Sequence, residues 1–261
     1  MERLGLVTVG LAFAFAVDLL LHIFQPLGDG FSLVSNTITV SFSLLAVILG
    51  AISCKLHGIS NIRGRALIFL TAGTLFWFLG ELTWSLYGIL LDVETPVVSI
   101  ADVFWIAGYP LFMLGILFVW NSTKMKHGHV RQILNLALSA VILIVFSYLS
   151  IPTLTAVDIT PMEKATTAGY IVGDAFLLIA LITTLVHIPG KELFKLWISI
   201  LVALLLIAVA DVLYSFIFSV YMGGHIIDVF WDLGYLILAF GFFKYNAEYR
   251  KLLEIAFRRP D

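Results

Sequence analysis

Seven carboxylates stand where a carboxylate is expensive. Asp18, Glu81, Asp174, Asp211 and Asp232 fall inside apolar stretches, and Asp102 and Asp228 open two more. An ionisable group within a membrane costs several kcal/mol unless it is paired or neutralised, so each is a candidate for function. No Lys or Arg is expected at their depth; the nearest bases are His22, one turn after Asp18, and His225. Acids without bases share protons, bind a cation or face water. A polar pocket that accepts a cation or a small amphiphile is the expected result.

Helical spacing assembles the pocket. Glu81, Trp84 and Ser85 share one face, as do Asp211, Tyr214 and Ser215, while Asp228, Trp231, Asp232 and Tyr235 run down one side of a helix. The candidate ligand-binding set is therefore Asp18, His22, Glu81, Trp84, Asp102, Tyr109, Asp174, Asp211, Tyr214, Asp228, Trp231, Asp232 and Tyr235. A divalent cation would fall to Glu81, Asp211, Asp232 and His22, and acid chemistry to Glu81, Asp211 and Asp232. Structural roles compete at several positions. Ser99 and Asp102 have the spacing of a capping box, and Asp228 also sits at a helix start. Trp105, Trp231, Tyr109 and Tyr235 could equally be interface anchors or packing.

The elements that must position these residues follow from composition. The 261 residues are 61% hydrophobic and only 12% charged, against about 25% charged in a typical soluble domain. This excludes disorder, a secreted disulfide scaffold and a nucleic-acid binder, and leaves an all-α polytopic membrane protein in contact with the lipid bilayer. The single Cys54 allows no internal disulfide. A spanning helix needs about 20 apolar residues, and eight stretches qualify: 4–24, 33–54, 66–90, 101–120, 131–150, 166–187, 193–220 and 226–243. The first is read as a span rather than a cleaved signal because Asp18 interrupts it and no cleavage site precedes Gln25.

Orientation follows from Lys and Arg, which concentrate on the cytoplasmic side. With the N-terminus inside, inner segments hold 14 of the 15 basic residues, from Arg3 to Arg259, and outer segments keep Lys164 with Asp29, Asp92, Glu94, Asp158 and Glu163. Eight spans with both termini cytoplasmic, in an inner or plasma membrane, fit this asymmetry. All seven intramembrane acids then lie in the extracytoplasmic half. Trp120 and Trp197 are expected near the inner interface, with Trp84, Trp105 and Trp231 near the outer one.

The chain also echoes itself. Asp102-Val103-Phe104-Trp105-Ile106-Ala107-Gly108-Tyr109 returns as Asp228-Val229-Phe230-Trp231-Asp232-Leu233-Gly234-Tyr235, and Glu81-Leu82-Thr83-Trp84-Ser85 as Asp211-Val212-Leu213-Tyr214-Ser215. Two ordered echoes predict two parallel four-helix repeats, 1–125 and 126–243, followed by a basic cytoplasmic tail at 244–261. Duplication restricted to the third and fourth helix of each half is the alternative. Glu81 and Asp211 should then face each other across the halves, with an ion or a proton between them.

Several chemistries lack their residues. Retinal needs a mid-membrane Lys, haem needs facing histidines, and no nucleotide loop or zinc-protease motif is present. The segment Pro96 to Leu111 resembles a stretch of the multi-pass N-terminal membrane regions of prokaryotic GGDEF-type and histidine-kinase signalling proteins, over about Glu81 to Trp120. No output domain is expected after residue 243, so the resemblance implies a sensor-like membrane module acting alone or through a membrane or cytoplasmic signalling partner. A competing reading is an intramembrane lipid hydrolase similar to the eight-span lysoplasmalogenases, its acids activating water directly or through a metal. A cation- or proton-coupled transporter is a third, disfavoured because its acids should reach the inner half.

Overall fold

The computed structural model describes residues 2–91, 98–122, 129–157, 159–187, 191–217, 221 and 223–257. Asp92, Glu94, Asp158, Lys124, Lys126, Arg258 and Arg259, counted in the charge asymmetry, lie outside these residues, as do the side chains of Arg3, Asp29, Arg131, Lys191 and Lys195. The described residues form eight α-helices: α1 (Glu2–Phe24), α2 (Phe31–His57), α3 (Ile62–Leu91), α4 (Ile100–Ser122), α5 (His129–Thr155), α6 (Pro161–His187), α7 (Lys191–Ile217) and α8 (Asp228–Phe257). Each covers most or all of one expected span. Seven of them are long and apolar enough to cross a membrane.

The eighth, α8, is long but too polar to join them by composition, because Asp228, Asp232, Tyr235, Lys244 and Asn246 interrupt its apolar run. Its surroundings explain why that is tolerated: Asp232, Leu238, Ala239 and Phe242 are each 0% exposed. The helix also continues to Phe257, through the stretch expected to be a tail. A local cluster holds its extension. Tyr245 and Tyr249 stack on His57 at centroid distances of 5.1 and 3.8 Å, the Tyr245 hydroxyl lies 2.8 Å from His57 Nε2, and Ser53 donates to Asn246.

Six helices close a ring through the neighbour pairs α2–α3, α3–α4, α4–α6, α6–α7, α7–α8 and α8–α2. Two stand outside it, α1 chiefly against α8 and α5 chiefly against α6. Small residues permit the close packing of α2, whose buried face reads Ser35, Thr39, Ser43, Ala46, Gly50 and Ser53. Toward the starts of α3 and α7 and the later turns of α4, α6 and α8, the ring is filled with apolar side chains, among them Leu70, Phe112, Ile116, Leu181, Ile200 and Phe242. Trp197 belongs to this core at 2% exposure rather than to an interfacial belt. By contrast α1 and α5 present Leu6, Phe13, Leu136 and Ile144 outward at 68–72% exposure, as helices solvated by lipid would.

Candidate functional site

A cavity of about 140 Å³ occupies the ring at the end where α3 and α7 finish and α2, α4, α6 and α8 begin. That is room for a benzene-sized group or several waters. Every ring helix lines it, together with Ile159 and Tyr221 from the loops. Its walls hold six carboxylates (Glu81, Asp102, Glu163, Asp174, Asp211, Asp228) and nine Trp or Tyr side chains, with no Lys, Arg or His among the lining residues.

Each acid in the centre is held by aromatic donors. Trp105 Nε1 on α4 donates to Glu81 Oε1 at 3.2 Å, and Tyr235 on α8 donates to the same oxygen at 2.7 Å. Asp211 on α7 receives Trp231 Nε1 of α8 at 2.8 Å on Oδ1 and the Tyr109 hydroxyl of α4 at 3.5 Å on Oδ2. The Tyr109 proton is committed more closely to Asp174 Oδ1, at 2.7 Å, and the Asp174 carboxyl adjoins that of Asp211. Two adjoining carboxylates repel unless a proton or a cation relieves them.

Glycine permits two of these contacts. A Cβ on Gly80 would stand 2.4 Å from Trp105 Nε1, and one on Gly173 would stand 2.6 Å from the Tyr109 ring. Both positions precede the acid that the aromatic group reaches, so the absence of a side chain lets the ring cross the neighbouring helix closely enough to donate.

Asp102 caps α4, as the Ser99 spacing suggests, Asp228 ties the start of α8 to the preceding turn, and both acids also reach inward. Asp102 Oδ2 accepts the Ser99 N–H at 2.6 Å, while Oδ1 accepts the Tyr170 hydroxyl of α6 at 2.7 Å. Asp228 Oδ2 accepts the Gly224 N–H at 2.8 Å and the Ser35 hydroxyl of α2 at 3.0 Å, and Oδ1 accepts Tyr221 at 2.9 Å. Burial and the Asp228 carboxylate push the Tyr221 phenol well above its ordinary range, which keeps it a donor.

Of the sequence candidates, Glu81, Trp84, Asp102, Tyr109, Asp174, Asp211, Tyr214, Asp228, Trp231 and Tyr235 line the one cavity. Asp18, His22 and Asp232 do not; they cluster at the junction of α1, α2 and α8. Glu81 and Asp211 line the same cavity, each with its own aromatic donors, and the carboxyl that adjoins Asp211 is Asp174. The four residues expected to hold a metal do not gather as one set. Among the described residues the group close enough to share an ion is Asp18, His22 and Asp232, which leaves out Glu81 and Asp211, both of which line the cavity instead.

Trp105, Tyr170, Tyr221 and Ser35 are functional neighbours that the sequence reading did not place in the site. Two carried a usable signal: Trp105 is the echo of Trp231, and Tyr170 lies one turn before Asp174 on the same face. Comparison with protein-family models, with curated proteins and with solved structures finds no match for this chain.

Proposed function

We propose that the protein is an eight-span membrane protein with both termini cytoplasmic, and that its cavity opens to the outside and binds a small organic cation as a sensor-like ligand-binding module. The observation that carries this reading is the lining itself: among the described residues, six carboxylates and nine Trp or Tyr side chains without one basic residue. Aromatic faces and carboxylates together suit an ammonium group, with each desolvated cation–π contact contributing about 2 kcal/mol. Both donors to Glu81 fall on Oε1, which leaves Oε2 for a guest.

Two four-helix repeats are part of the proposal, and three paired contacts support them. Each half contributes an acid–Trp bond, Glu81 with Trp105 and Asp211 with Trp231. Each acid also takes a Tyr from the other half, Tyr235 or Tyr109. Ring contacts recur likewise, Trp84 with Trp105 at 5.9 Å and Tyr214 with Trp231 at 6.1 Å. A ligand seated between Glu81 and Asp211 would thus touch both halves, which is how binding would change their relative position for a signalling partner.

The test is thermal stability of the full chain in detergent micelles with tetramethylammonium, choline or benzylammonium, each set against a neutral compound of the same shape. The cations should raise the melting temperature and the neutral analogues should not. Glu81→Gln should weaken the best cation by about 10-fold or more, ~1.4 kcal/mol. Equal responses to cations and neutral analogues would remove the reading, and turnover of a lysolipid by the same sample would favour the hydrolase instead.

A further inference from the structure

Behind the cavity, where α1 meets α2 and α8, lies a second group of titratable side chains. Asp18 is 2% exposed, His22 3% and Asp232 0%. Each offers one ligand atom, and these atoms all lie within 4.8 Å of one another. The carboxylates are poorly satisfied by protein: no oxygen of Asp18 or Asp232 accepts a well-formed hydrogen bond, and their polar neighbours are His22, whose Nδ1 is 3.1 Å from Asp18 Oδ1, and Thr39 beside Asp232. A buried carboxylate without a partner is among the most costly arrangements in a folded chain, and here two stand together. The charged or titratable groups that face His22 are Asp18 on α1 and Asp228 and Asp232 on α8, and none of them is basic.

The hydrogen bonds around His22 fix which nitrogen is available. Asp228 is built to accept, since Gly224, Tyr221 and Ser35 all donate to it. The single Ser35 proton is therefore spent on Asp228, and Ser35 Oγ, 3.0 Å from His22 Nε2, must accept the Nε2 proton. Neutral His22 then turns the lone pair of Nδ1 toward Asp18, whose carboxylate Oδ1 is 3.1 Å away and whose carbonyl oxygen is 3.0 Å away. A lone pair facing oxygen acceptors is repulsive unless a positive centre lies between them.

We infer that Asp18, His22 and Asp232 bind one divalent transition-metal ion, with Zn²⁺ the best match, that ties α1 to α8. One imidazole and two carboxylates suit Zn²⁺ better than Ca²⁺ or Mg²⁺, which prefer oxygen alone. Two carboxylates and a divalent ion sum to zero charge, the condition an apolar interior favours. Zinc bonds of about 2.0–2.2 Å need the ligand atoms closer than they stand, a contraction that side-chain rotation supplies. Ser35 and Asp228 form the outer shell that orients the imidazole. Entry runs past Thr39 and Asp228, which also line the cavity. The site gives α1, otherwise attached chiefly by its contact with α8, a reason to stay. It does not rest on the organic-cation reading, because Glu81 and Asp211 take no part in it.

The experiment uses the full chain in micelles, stripped with a chelator and titrated with Zn²⁺ and with Co²⁺ as a spectroscopic stand-in. One ion per chain and the visible absorption of four-coordinate Co²⁺ are expected. Asp18→Asn and Asp232→Asn should each weaken Zn²⁺ by at least ~100-fold, beyond what losing an outer-shell partner costs; Ser35→Ala should weaken it less, and Glu81→Gln should leave it unchanged. In a Cys54→Ala background, His22→Cys should add a thiolate-to-Co²⁺ charge-transfer band, a gain of signal that decides the matter even if a carboxylate variant fails to fold. A folded parent that retains no ion, or ion binding indifferent to all these substitutions, would overturn the inference.

Discussion

Glu81 receives an indole N–H and a phenol O–H, and Asp211 an indole N–H with the Tyr109 hydroxyl at 3.5 Å, whereas Asp18 and Asp232 accept no well-formed hydrogen bond, with His22 and Thr39 as their polar neighbours. Both pairs lie among apolar helices, and the difference goes with exposure: Glu81 and Asp211 are half-buried in the cavity wall, whereas Asp18 and Asp232 are fully buried. It separates two ways of keeping an acid in a membrane protein. Held by donors, an acid is preorganised: its geometry is set before any guest arrives, and a free lone pair remains to receive one. An acid left without donors has a geometry that makes sense only with something added. The first arrangement suits reversible binding of a small cation, and the second suits an ion that stays.

The contrast can be broken by removing the acids. Glu81→Leu strands the Trp105 and Tyr235 donors, at roughly 1–3 kcal/mol for each buried group left unpaired, so a loss of about 2–6 kcal/mol is expected in denaturant unfolding of the micellar protein. Asp232→Leu strands no donor. In chelator-treated protein it should be neutral or stabilising by up to about 2 kcal/mol, and destabilising relative to the parent once Zn²⁺ is added. The same sign for both substitutions under chelation would erase the distinction between donor-held and donor-less acids.

A smaller effect tests how the donors arrive. Gly173→Ala places a methyl against the Tyr109 ring, 2.6 Å from its nearest atom in the present packing, and overpacking of this kind costs about 1–3 kcal/mol. Because the ring must retreat from Asp174, cation affinity should fall together with stability. Gly88, with nothing near it, supplies the control: alanine there should change neither quantity. Matching responses at the two glycines would mean that the approach of Tyr109 does not govern the site.

These contrasts also mark what the sequence could and could not disclose. Hydropathy located the helices because an apolar run of spanning length has few other uses, and helical spacing put most cavity acids on the right faces. Hydropathy misjudged α8 beyond residue 243 because Lys244, Glu248, Arg250 and Lys251 end the apolar run without ending the helix; the contact that prolongs it, His57 with Tyr245 and Tyr249, joins residues almost two hundred positions apart. Trp197 was misread because distance from a span end says nothing about which neighbour covers the ring. The partnership of Asp18 and His22 with Asp232 depends on α1 packing against α8, and no periodicity within either helix encodes that choice. Ser35, Thr39 and Ser43 carried a partial signal, a polar stripe at four-residue spacing, that packing against α8 turns into a route from His22 to Asp228.

The smallest expected effects bear on the two halves. Trp105 and Trp231 occupy echoed positions, donate to echoed acids at 3.2 and 2.8 Å, and sit against echoed rings. If duplication built the site, replacing either indole by Phe removes the same interaction from the same place: a hydrogen bond to a charged or acidic group, about 1.5–3 kcal/mol. The two losses should therefore agree within about 0.5 kcal/mol, and the double substitution should cost close to their sum, since each Trp serves its own acid. The Tyr bonds should behave differently, because Tyr109 and Tyr235 cross between halves and Tyr109 divides its attention between Asp174 and Asp211. Tyr109→Phe should accordingly cost more than Tyr235→Phe, with the excess abolished in an Asp174→Asn background, where the adjoining carboxylates no longer need the phenol between them. Equal Trp losses with unequal Tyr losses would locate the asymmetry at Asp174, a cavity acid for which the first half offers no counterpart; unequal Trp losses would argue that the sequence echo is not a structural repeat.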